Sequence, residues 1–368
     1  MYIYEEKSWP KFKWDEKKLT NLITKVSFAE GSLIATMKQL GFDFQMDSLL
    51  SNLTDEIIKS SEIEGEILNK EEVRSSIAKR LNIHNAKPVA SSRHIDGIVE
   101  MIIDATHNYE KELSLKRLLS WHAVLFPTGY SGLYKIKVGK FRDDKNGPMR
   151  VISTKKTGGP EIIHYEAPSA NLIKDYISDF LEWINKKDDT NPIIKAGIAH
   201  IWFVSIHPFE DGNGRITRAI TDMMLARAEN TPYRFYSMSA EIQKEKNKKE
   251  YYNILEKTQK GNLDITEWLE WFLQCLLSSI QNANKLTGKI INKAKLWQKY
   301  NKIALDERQK KILNMLMDNF EGNLTSSKMA KICKCSQDTA TRSLKYLVEK
   351  NILEQQGDGR NTHYILKK

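Results

Sequence analysis

Cysteines and long apolar runs are scarce in this chain of 368 residues. Three cysteines, at positions 275, 333 and 335, are too few for a disulfide framework and predict a reducing compartment. Cys333 and Cys335 lack a second cysteine pair and nearby histidines, which argues against a zinc site. The chain does not open with a basic stretch followed by apolar residues, and its most apolar segment, 268–280, is too short to span a bilayer. We therefore expect a cytoplasmic protein with no signal peptide and no membrane partner.

The overall composition is that of a globular protein. Hydrophobic residues make up 40% and charged residues 28% of the chain, and its length predicts two or three domains. The 57 lysines and arginines against 47 acidic residues give a net charge of +10, which favours polyanionic partners without identifying one. Residues 279–302 contain six lysines and no acid. This segment suits a solvated helix or linker as well as a nucleic-acid contact.

Helical spacing of apolar residues dominates the first 280 residues. It predicts helices over 19–40, 55–80, 95–109, 115–125 and 193–206. Glycine and proline cluster between 126 and 168, where 149–152 and 161–165 have the composition of two short strands. The predicted fold class is mainly α, with a short β-hairpin flap at about 139–168.

The last 66 residues form a separate predicted unit. Helices over 306–319, 325–332 and 336–350 precede a hairpin, which is the order of a winged helix-turn-helix domain. The third helix would expose polar residues, namely Gln337, Asp338, Thr339, Thr341, Arg342 and Lys345. Twelve basic and eight acidic residues lie between 303 and 368. Winged helices bind either DNA or protein, and both partners remain open.

The densest polar motif is His-Pro-Phe-Glu-Asp-Gly-Asn-Gly-Arg-Ile-Thr-Arg at 207–218, between two predicted helices. Pro208 ends the apolar helix before it, because the residue preceding proline disfavours the helical conformation. Gly212 and Gly214 let the backbone turn tightly and approach a ligand. A second helix begins near Asn213, and its free N–H groups form an anion site.

The charged residues of this motif suit phosphate chemistry. Arg215 and Arg218 are three apart, so both project from one face of the helix and form a cradle for a polyphosphate. Asp211 can hold Mg²⁺ against phosphate oxygens, and His207 can take a proton from an attacking hydroxyl. The alternative is a capped interhelical turn whose histidine only satisfies core polarity. His200 suggests a metal pair with His207 or a core histidine; the second is favoured because no third ligand follows.

A second motif, Ser-Ser-Glu-Ile-Glu-Gly, occupies 60–65. On a helix, Glu64 would share the apolar face of Ser60, Ile67 and Leu68, while Glu62 and Glu66 would form a separate solvated pair. A carboxylate on a packed face needs a cationic partner, because an unpaired buried charge is costly. An ordinary surface carboxylate is the alternative.

Residues 207–218 resemble the motif of the Fic family: His-Pro-Phe, an acidic second spacer, Gly-Asn-Gly-Arg and a further arginine. The resemblance implies an AMP transferase, in which a target Ser, Thr or Tyr hydroxyl attacks the α-phosphate of ATP and pyrophosphate leaves. It also implies one role for each motif residue. These are His207 as general base, Asp211 as Mg²⁺ ligand, Gly212, Asn213 and Gly214 as phosphate contacts, Arg215 as the neutralising group and Arg218 as partner of the terminal phosphate.

Other segments also resemble parts of Fic proteins. Ser60, Glu64 and Gly65 match the family's inhibitory helix, here about 55–70, which implies that Glu64 pairs with Arg218 and blocks productive placement of the γ-phosphate. The flap is similar to the target-positioning hairpin, where Val151 and Ile152 would register a bound peptide by strand addition.

Two further matches are in segments outside the motif. Residues 239–255 look like the nucleotide-side helix, with Tyr252 and Lys244 facing the nucleotide; Gln259 stands where relatives can have Asn, and an exposed lysine-rich helix is the alternative. The opening Trp9–Trp14 segment resembles an N-terminal domain that accompanies some Fic proteins.

The resulting prediction is an autoinhibited, Mg²⁺-dependent protein adenylyltransferase that uses ATP and modifies a target protein, including itself. Its predicted organisation is an N-terminal region (1–110), a Fic core (111–278), a basic linker helix (279–302) and the winged helix-turn-helix (303–368). Alternatives are AMP removal, another Fic phosphotransfer, and a nucleotide-sensing transcriptional regulator that binds double-stranded DNA through 303–368. The family resemblance also suggests a homodimer.

Overall fold

A computed structural model describes residues 1–83, 88–145, 147–153, 161–300, 303–317, 320 and 322–367. The chain divides into two units, Met1–Ala283 and Asn284–Lys368, and each has its own hydrophobic core. The predicted boundaries after residues 110, 278 and 302 remain predictions.

Helices make up most of the first unit, as predicted, and the last of them continues past residue 283. They are α1 (Glu16–Lys38), α2 (Phe42–Ile63), α3 (Lys70–Arg80), α4 (Arg93–His107), α5 (Leu115–Leu125), α6 (Ile173–Asn185), α7 (Pro192–Ile206), α8 (Asn213–Glu229), α9 (Met238–Ile242), α10 (Glu245–Gln259) and α11 (Thr266–Tyr300). Among the described residues, no helix combines the length and apolar character needed to cross a membrane.

Two small antiparallel hairpins complete this unit. The first pairs β1 (Tyr130–Ser131) with β2 (Tyr134–Lys135). The second pairs β3 (Arg150–Ser153) with β4 (Ile162–Glu166) and shifts register between Val151 and Ile152. This second hairpin is the predicted flap; residues 146 and 154–160 of it lie outside the described residues.

The central helix α7 places the catalytic candidate His207 at its end. Every residue from 193 to 206 is buried, because this helix is apolar on all sides and α8 packs beside it. Its start is the predicted one. Asn191 Oδ1 accepts hydrogen bonds from the backbone N–H groups of Ile193 (2.9 Å) and Ile194 (3.4 Å), and Pro192 is the first helical residue.

The predicted helix over 55–80 is wrong in its middle. Helix α2 ends at Ile63, and Glu64 is its C-cap rather than a helical residue. Gly65 takes the left-handed conformation (φ +82°), and its N–H donates to Glu62 O (3.1 Å) while Glu66 N–H donates to Ser61 O (3.0 Å). This pair of bonds is a Schellman termination, which glycine permits without steric cost. The chain therefore turns away after Gly65, and Ile67, expected on the apolar face, is 89% exposed.

The second unit contains the three helices and the hairpin that were predicted for the end of the chain. They are α12 (Glu307–Met317), α13 (Ser326–Cys333), α14 (Gln337–Glu349), β5 (Leu353–Gln356) and β6 (His363–Leu366). Ile312, Leu344 and Ile352 lie in its core, and Leu324 bridges Tyr364 of β6. Residues 318 and 319 of the predicted helix 306–319 lie outside the described residues. The winged-helix assignment remains a prediction.

Candidate active site

The turn over residues 207–218, called the motif turn below, is held by its own hydrogen bonds. His207 caps α7 in the left-handed conformation (φ 50°), which costs a residue with a side chain about 1 kcal/mol. The buried Asn213 side chain accepts from Phe209 N–H (3.0 Å) and donates to Phe209 O (2.9 Å). Gly212 (φ +80°) then leads directly into α8. The first N–H groups of α8 have no preceding helical turn whose carbonyl groups could accept their hydrogen bonds.

The geometry of His207 suits a general base. Its Nδ1 lies 3.2 Å from Val204 O, and a carbonyl only accepts, so Nδ1 carries the proton. The Nε2 lone pair therefore stays available. Burial, with a contribution from the positive charge of Arg142, lowers the pKa of His207 to about 4. The imidazole is consequently neutral at pH 7.

Asp211 can contribute one carboxylate to a cation. Its Oδ1 accepts from Gly212 N–H (2.5 Å), Ser131 Oγ donates to Oδ2, and the side chain is 41% exposed. The described residues contain no cluster of three His, Cys, Asp or Glu side chains that could hold a metal by themselves. A single exposed carboxylate next to an anion site fits Mg²⁺, which binds one or two carboxylates together with phosphate oxygens and water.

Arg218 lies almost fully buried against the segment 60–66, called the inhibitory turn below. Its Nε donates to Ser60 Oγ (2.8 Å), and one terminal nitrogen donates to Ser60 O (2.9 Å) and Glu64 Oε1 (2.7 Å). Burial opposes the charge, but pairing with Glu64 and the nearby Tyr251 and Tyr252 together outweigh burial and raise the pKa of Arg218. The predicted Glu64–Arg218 pair is therefore present in the structure.

Gly214 is required by the same contact. A Cβ atom at this position would lie 2.0 Å from Glu64 Oε1, far inside van der Waals contact. The close approach expected of Gly214 is thus made, in this structure, by the Glu64 carboxylate.

Arg215 is paired as well, which the sequence did not indicate. Its guanidinium donates to Glu66 Oε2 (2.8 Å) and packs over the ring of Phe126. Arg215 Nε is buried and has no hydrogen-bond partner among the described residues. The expected solvated Glu62–Glu66 pair is therefore wrong, because the turn at Gly65 directs Glu66 toward Arg215.

Glu66 also contacts His94 Nε2, while His94 Nδ1 lies 3.0 Å from Leu125 O. Burial raises the pKa of Glu66, but the His94 hydrogen bond and the charge of Arg215 outweigh burial and lower it. Glu66 therefore keeps its negative charge beside Arg215 at neutral pH.

The residues expected on the nucleotide side are only partly brought to the motif. Tyr252 OH donates to Ile63 O (3.0 Å), at the end of α2 beside Glu64. Lys244 Nζ instead bonds Glu241 (2.5 Å), and Gln259 Nε2 bonds Ser205 Oγ (3.3 Å). Tyr252 therefore contacts the inhibitory turn, whereas Lys244 and Gln259 bond residues outside the motif turn.

The flap presents its predicted contact residues to solvent. Val151 and Ile152 are 37% and 45% exposed on β3. Strand β4 is attached to α10, since His164 Nδ1 lies 2.6 Å from Glu256 Oε2. An exposed strand can accept a peptide by strand addition.

Buried groups around the motif turn complete the site. His200 is a core residue, as favoured: its two ring nitrogens contact Thr221 Oγ1 (2.9 Å) and Tyr251 OH (3.0 Å). His122 contacts Asp211 O and accepts from Gly139 N–H (3.0 Å), and Arg142 donates to His207 O (2.8 Å). Sequence reasoning missed His122 and Arg142, because neither belongs to a recognisable motif and their contacts are distant along the chain.

Comparison with protein families matches two parts of the chain. Residues 112–225 match the Fic/DOC family, and residues 2–83 match a domain of unknown function (DUF4172). The first match contains the motif turn; the second contains α1, α2 and the inhibitory turn.

Known proteins agree with the first match. Protein adenylyltransferase Fic of Drosophila virilis is 25% identical over 223 residues, 60% of this chain and 40% of that protein. The protein of the same name from Aedes aegypti is 25% identical over 224 residues, 60% of this chain and 39% of that protein. The chain thus matches about two fifths of the length of these curated relatives.

A solved structure shares the fold. A Fic family protein from Desulfovibrio desulfuricans G20 superimposes with a TM-score of 0.54 at 19% identity, over 95% of each chain. This likeness confirms the mainly helical fold class, and the family match confirms the Fic resemblance of the motif. Residues 112–225 of this chain are a domain of the Fic/DOC family.

Proposed function

We propose that this chain is an autoinhibited protein adenylyltransferase that transfers AMP from ATP to a hydroxyl side chain of a target protein. One observation carries the proposal. The N-terminus of α8, Arg215 and Arg218 form a positively charged site next to His207, whose Nε2 is available as a base. The relatives named as adenylyltransferases support this reading of the site.

The chemistry follows from these groups. The target hydroxyl oxygen forms a bond to the α-phosphorus of ATP, the bond from that phosphorus to the bridging oxygen breaks, and pyrophosphate leaves. His207 Nε2 takes the hydroxyl proton, which the low pKa of this half-buried histidine permits at neutral pH because the imidazole is then neutral. Asp211 would hold Mg²⁺, which when bound neutralises phosphate charge. Arg215 and Arg218 would bind the phosphate oxygens that carry the remaining negative charge.

Inhibition follows from the contacts of the inhibitory turn. Glu64 pairs with Arg218, and Glu66 pairs with Arg215. Both guanidinium groups therefore bind carboxylates at the positions where phosphates would bind. Ser60 and Tyr252 add bonds that hold the turn in place. Phosphates must displace at least one carboxylate to gain productive contact, so we propose Glu66 as a second inhibitory residue beside Glu64. Homodimerisation remains a prediction.

The experiment compares labels on two phosphates of ATP. Full-length Glu64→Gly and Glu64→Gly/His207→Ala are incubated with Mg²⁺ and either α- or γ-labelled ATP, and intact mass is recorded. We expect α-label and an added AMP mass only in the reaction that contains Glu64→Gly. The label is carried either by the variant itself or by proteins of an added lysate. Label from γ-labelled ATP would instead indicate phosphorylation. Equal α-labelling of both variants would overturn the role of His207.

AMP removal is tested in the same preparation. AMP-modified protein made with Glu64→Gly is returned to wild type and to His207→Ala, and free AMP is measured. Release by wild type alone would favour removal as the dominant reaction.

The proposed location is the cytoplasm, because the three cysteines are unpaired.

A second proposed activity is DNA binding by the C-terminal unit. The observation is that Gln337, Arg342 and Lys345 are exposed along α14, although Thr339 and Thr341 are half-buried. The full-length chain and Arg342→Ala/Lys345→Ala are titrated with random duplex DNA at several salt concentrations. We expect salt-dependent binding that weakens in the variant. Absence of binding would favour a protein partner for this unit, and unchanged binding by the variant would show that Arg342 and Lys345 are not the DNA contacts.

A further inference from the structure

Arg142 lies at the base of the flap and contacts the catalytic candidate directly. Its side chain is 1% exposed. The Nε atom donates to His207 O (2.8 Å), and the backbone N–H of Arg142 donates to Pro208 O (3.0 Å). Two successive carbonyls of the motif turn are therefore bonded to this one residue.

The remaining donors of Arg142 hold both ends of the flap. One terminal nitrogen bonds Asp144 Oδ1 (2.9 Å) where the flap begins, and the other bonds Pro168 O (2.5 Å) where it ends. Asp144 Oδ2 in turn accepts from Ser169 Oγ (3.0 Å) and Ala170 N–H (2.6 Å). A single buried guanidinium thus joins the entry of the flap, its exit and the residue that carries the imidazole.

The backbone of His207 needs this support. The residue is left-handed (φ 50°, ψ 57°), a conformation that persists only where surrounding contacts determine it. His207 N–H donates to Phe203 O (3.2 Å), so both sides of the residue are fixed. The direction of the imidazole therefore depends on the bonds from Arg142.

The charge of Arg142 also acts on the imidazole. Burial is the main reason that the pKa of His207 is low, and the positive charge of Arg142 lowers it further. Glu64 and Asp211 face the same ring with negative charge and oppose this effect. Loss of the Arg142 charge would consequently raise the pKa of His207.

We propose that Arg142 is a positioning residue that holds His207 and the flap in one fixed arrangement, so that a hydroxyl presented along the flap reaches Nε2. The proposal rests on the proposed transferase function. Arg142 acts through His207 and the flap and not through contact with the nucleotide or the target. A fixed distance between base and hydroxyl matters because displacement of reacting groups by about 1 Å can reduce a rate on the order of a hundredfold.

The test uses three full-length variants in the Glu64→Gly background: Arg142→Gln, Arg142→Lys and the control Arg150→Gln. Arg150 is a flap arginine that pairs with Glu166 (2.7 Å) at an exposed position, so it matches the lost charge without contacting His207. Measurements are ATP affinity, the rate of AMP incorporation against pH, and the His207 titration by NMR of ¹⁵N-histidine-labelled protein. The His207 signal is assigned by its loss in His207→Ala.

We expect Arg142→Gln to lower the rate about tenfold or more, to raise the His207 titration midpoint, and to leave ATP affinity within about twofold. Arg142→Lys keeps the charge without the forked donors, so the midpoint should stay low while the rate falls. Arg150→Gln should change neither the ATP affinity nor the His207 midpoint.

Unchanged rate and His207 midpoint in Arg142→Gln would overturn the proposal, as would an equal rise of the His207 midpoint in Arg150→Gln. If Arg142→Gln does not fold, Arg142→Lys decides by the same rate comparison. If the Glu64→Gly parent transfers no AMP, the transferase proposal fails separately. The His207 midpoint still decides whether Arg142 controls this histidine, and an unchanged midpoint would then overturn the inference.

Discussion

The motif turn and the inhibitory turn meet at the same two arginines but are held in different ways. Each follows the end of a helix and contains a left-handed residue, His207 in one and Gly65 in the other. Asn213 closes the motif turn from within. The inhibitory turn has its own helix-ending bonds, yet its carboxylates are held by Arg215 and Arg218 of the motif turn. The motif turn can therefore lose its contacts with residues 60–66 and keep its own shape.

The largest expected effect comes from breaking the motif turn itself. Asn213→Ala removes both bonds to Phe209 and leaves a buried backbone N–H without a partner. We expect a loss of about 2 to 4 kcal/mol in the free energy of unfolding. In the Glu64→Gly background we also expect a roughly hundredfold lower rate of AMP incorporation. Urea unfolding and the labelled-ATP assay measure these quantities, and a stable, fully active Asn213→Ala would show that the turn is held by other contacts.

Releasing the inhibitory turn is the second comparison. Glu64→Gly leaves Arg218 free for phosphate, and we expect AMP incorporation about tenfold or more above wild type, the factor that corresponds to about 1.4 kcal/mol. Glu62→Gly is the matched control, because Glu62 lies two residues earlier and pairs with Lys59 rather than with the motif turn. Equal activation by both variants would mean that loosening α2, and not freeing Arg218, raises the rate.

A smaller activation is expected from Glu66→Gln. The Glu66 side chain is 32% exposed in its pair with Arg215, so we expect this ion pair to contribute less than about 1 kcal/mol to holding residues 60–66 in place. Its loss should therefore raise the rate of AMP incorporation about two- to fivefold. Combined with Glu64→Gly, it should raise ATP affinity above that of either single variant. No change in rate or affinity would restrict inhibition to Glu64, and Glu62→Gln serves as the control.

The smallest effect is a pH dependence of stability. Contacts with His94 and Arg215 outweigh burial and lower the pKa of Glu66, so ionised Glu66 stabilises the folded chain above the pKa of the unfolded residue. This contribution is lost as the pH falls through the lower folded value. The difference in unfolding free energy between wild type and Glu66→Gln should therefore be below about 1 kcal/mol at pH 7 and should decrease as the pH falls below the ordinary range of the glutamate pKa. A difference that grows on acidification would contradict the lowered pKa.

Sequence reasoning succeeded where the local structure depends on neighbouring residues. The motif turn, the cap at Asn191 and the end of α7 before Pro208 follow from local rules of backbone geometry and capping. The break at Gly65 was missed because the apolar spacing of 55–80 fits one continuous helix. Only the left-handed glycine and its Schellman bonds reveal where that helix ends.

The amino-acid sequence by itself determined the mainly helical fold and pointed to the residues that we propose bind phosphate, because those depend on short-range periodicity and on one contiguous motif. Tertiary structure alone decided that Glu66 pairs with Arg215 and that Arg142 supports His207. Residues 66 and 215 are 149 positions apart, and residues 142 and 207 are 65 apart. Their pairing arises from helix packing that brings distant turns together, and no local pattern in either segment specifies such a contact.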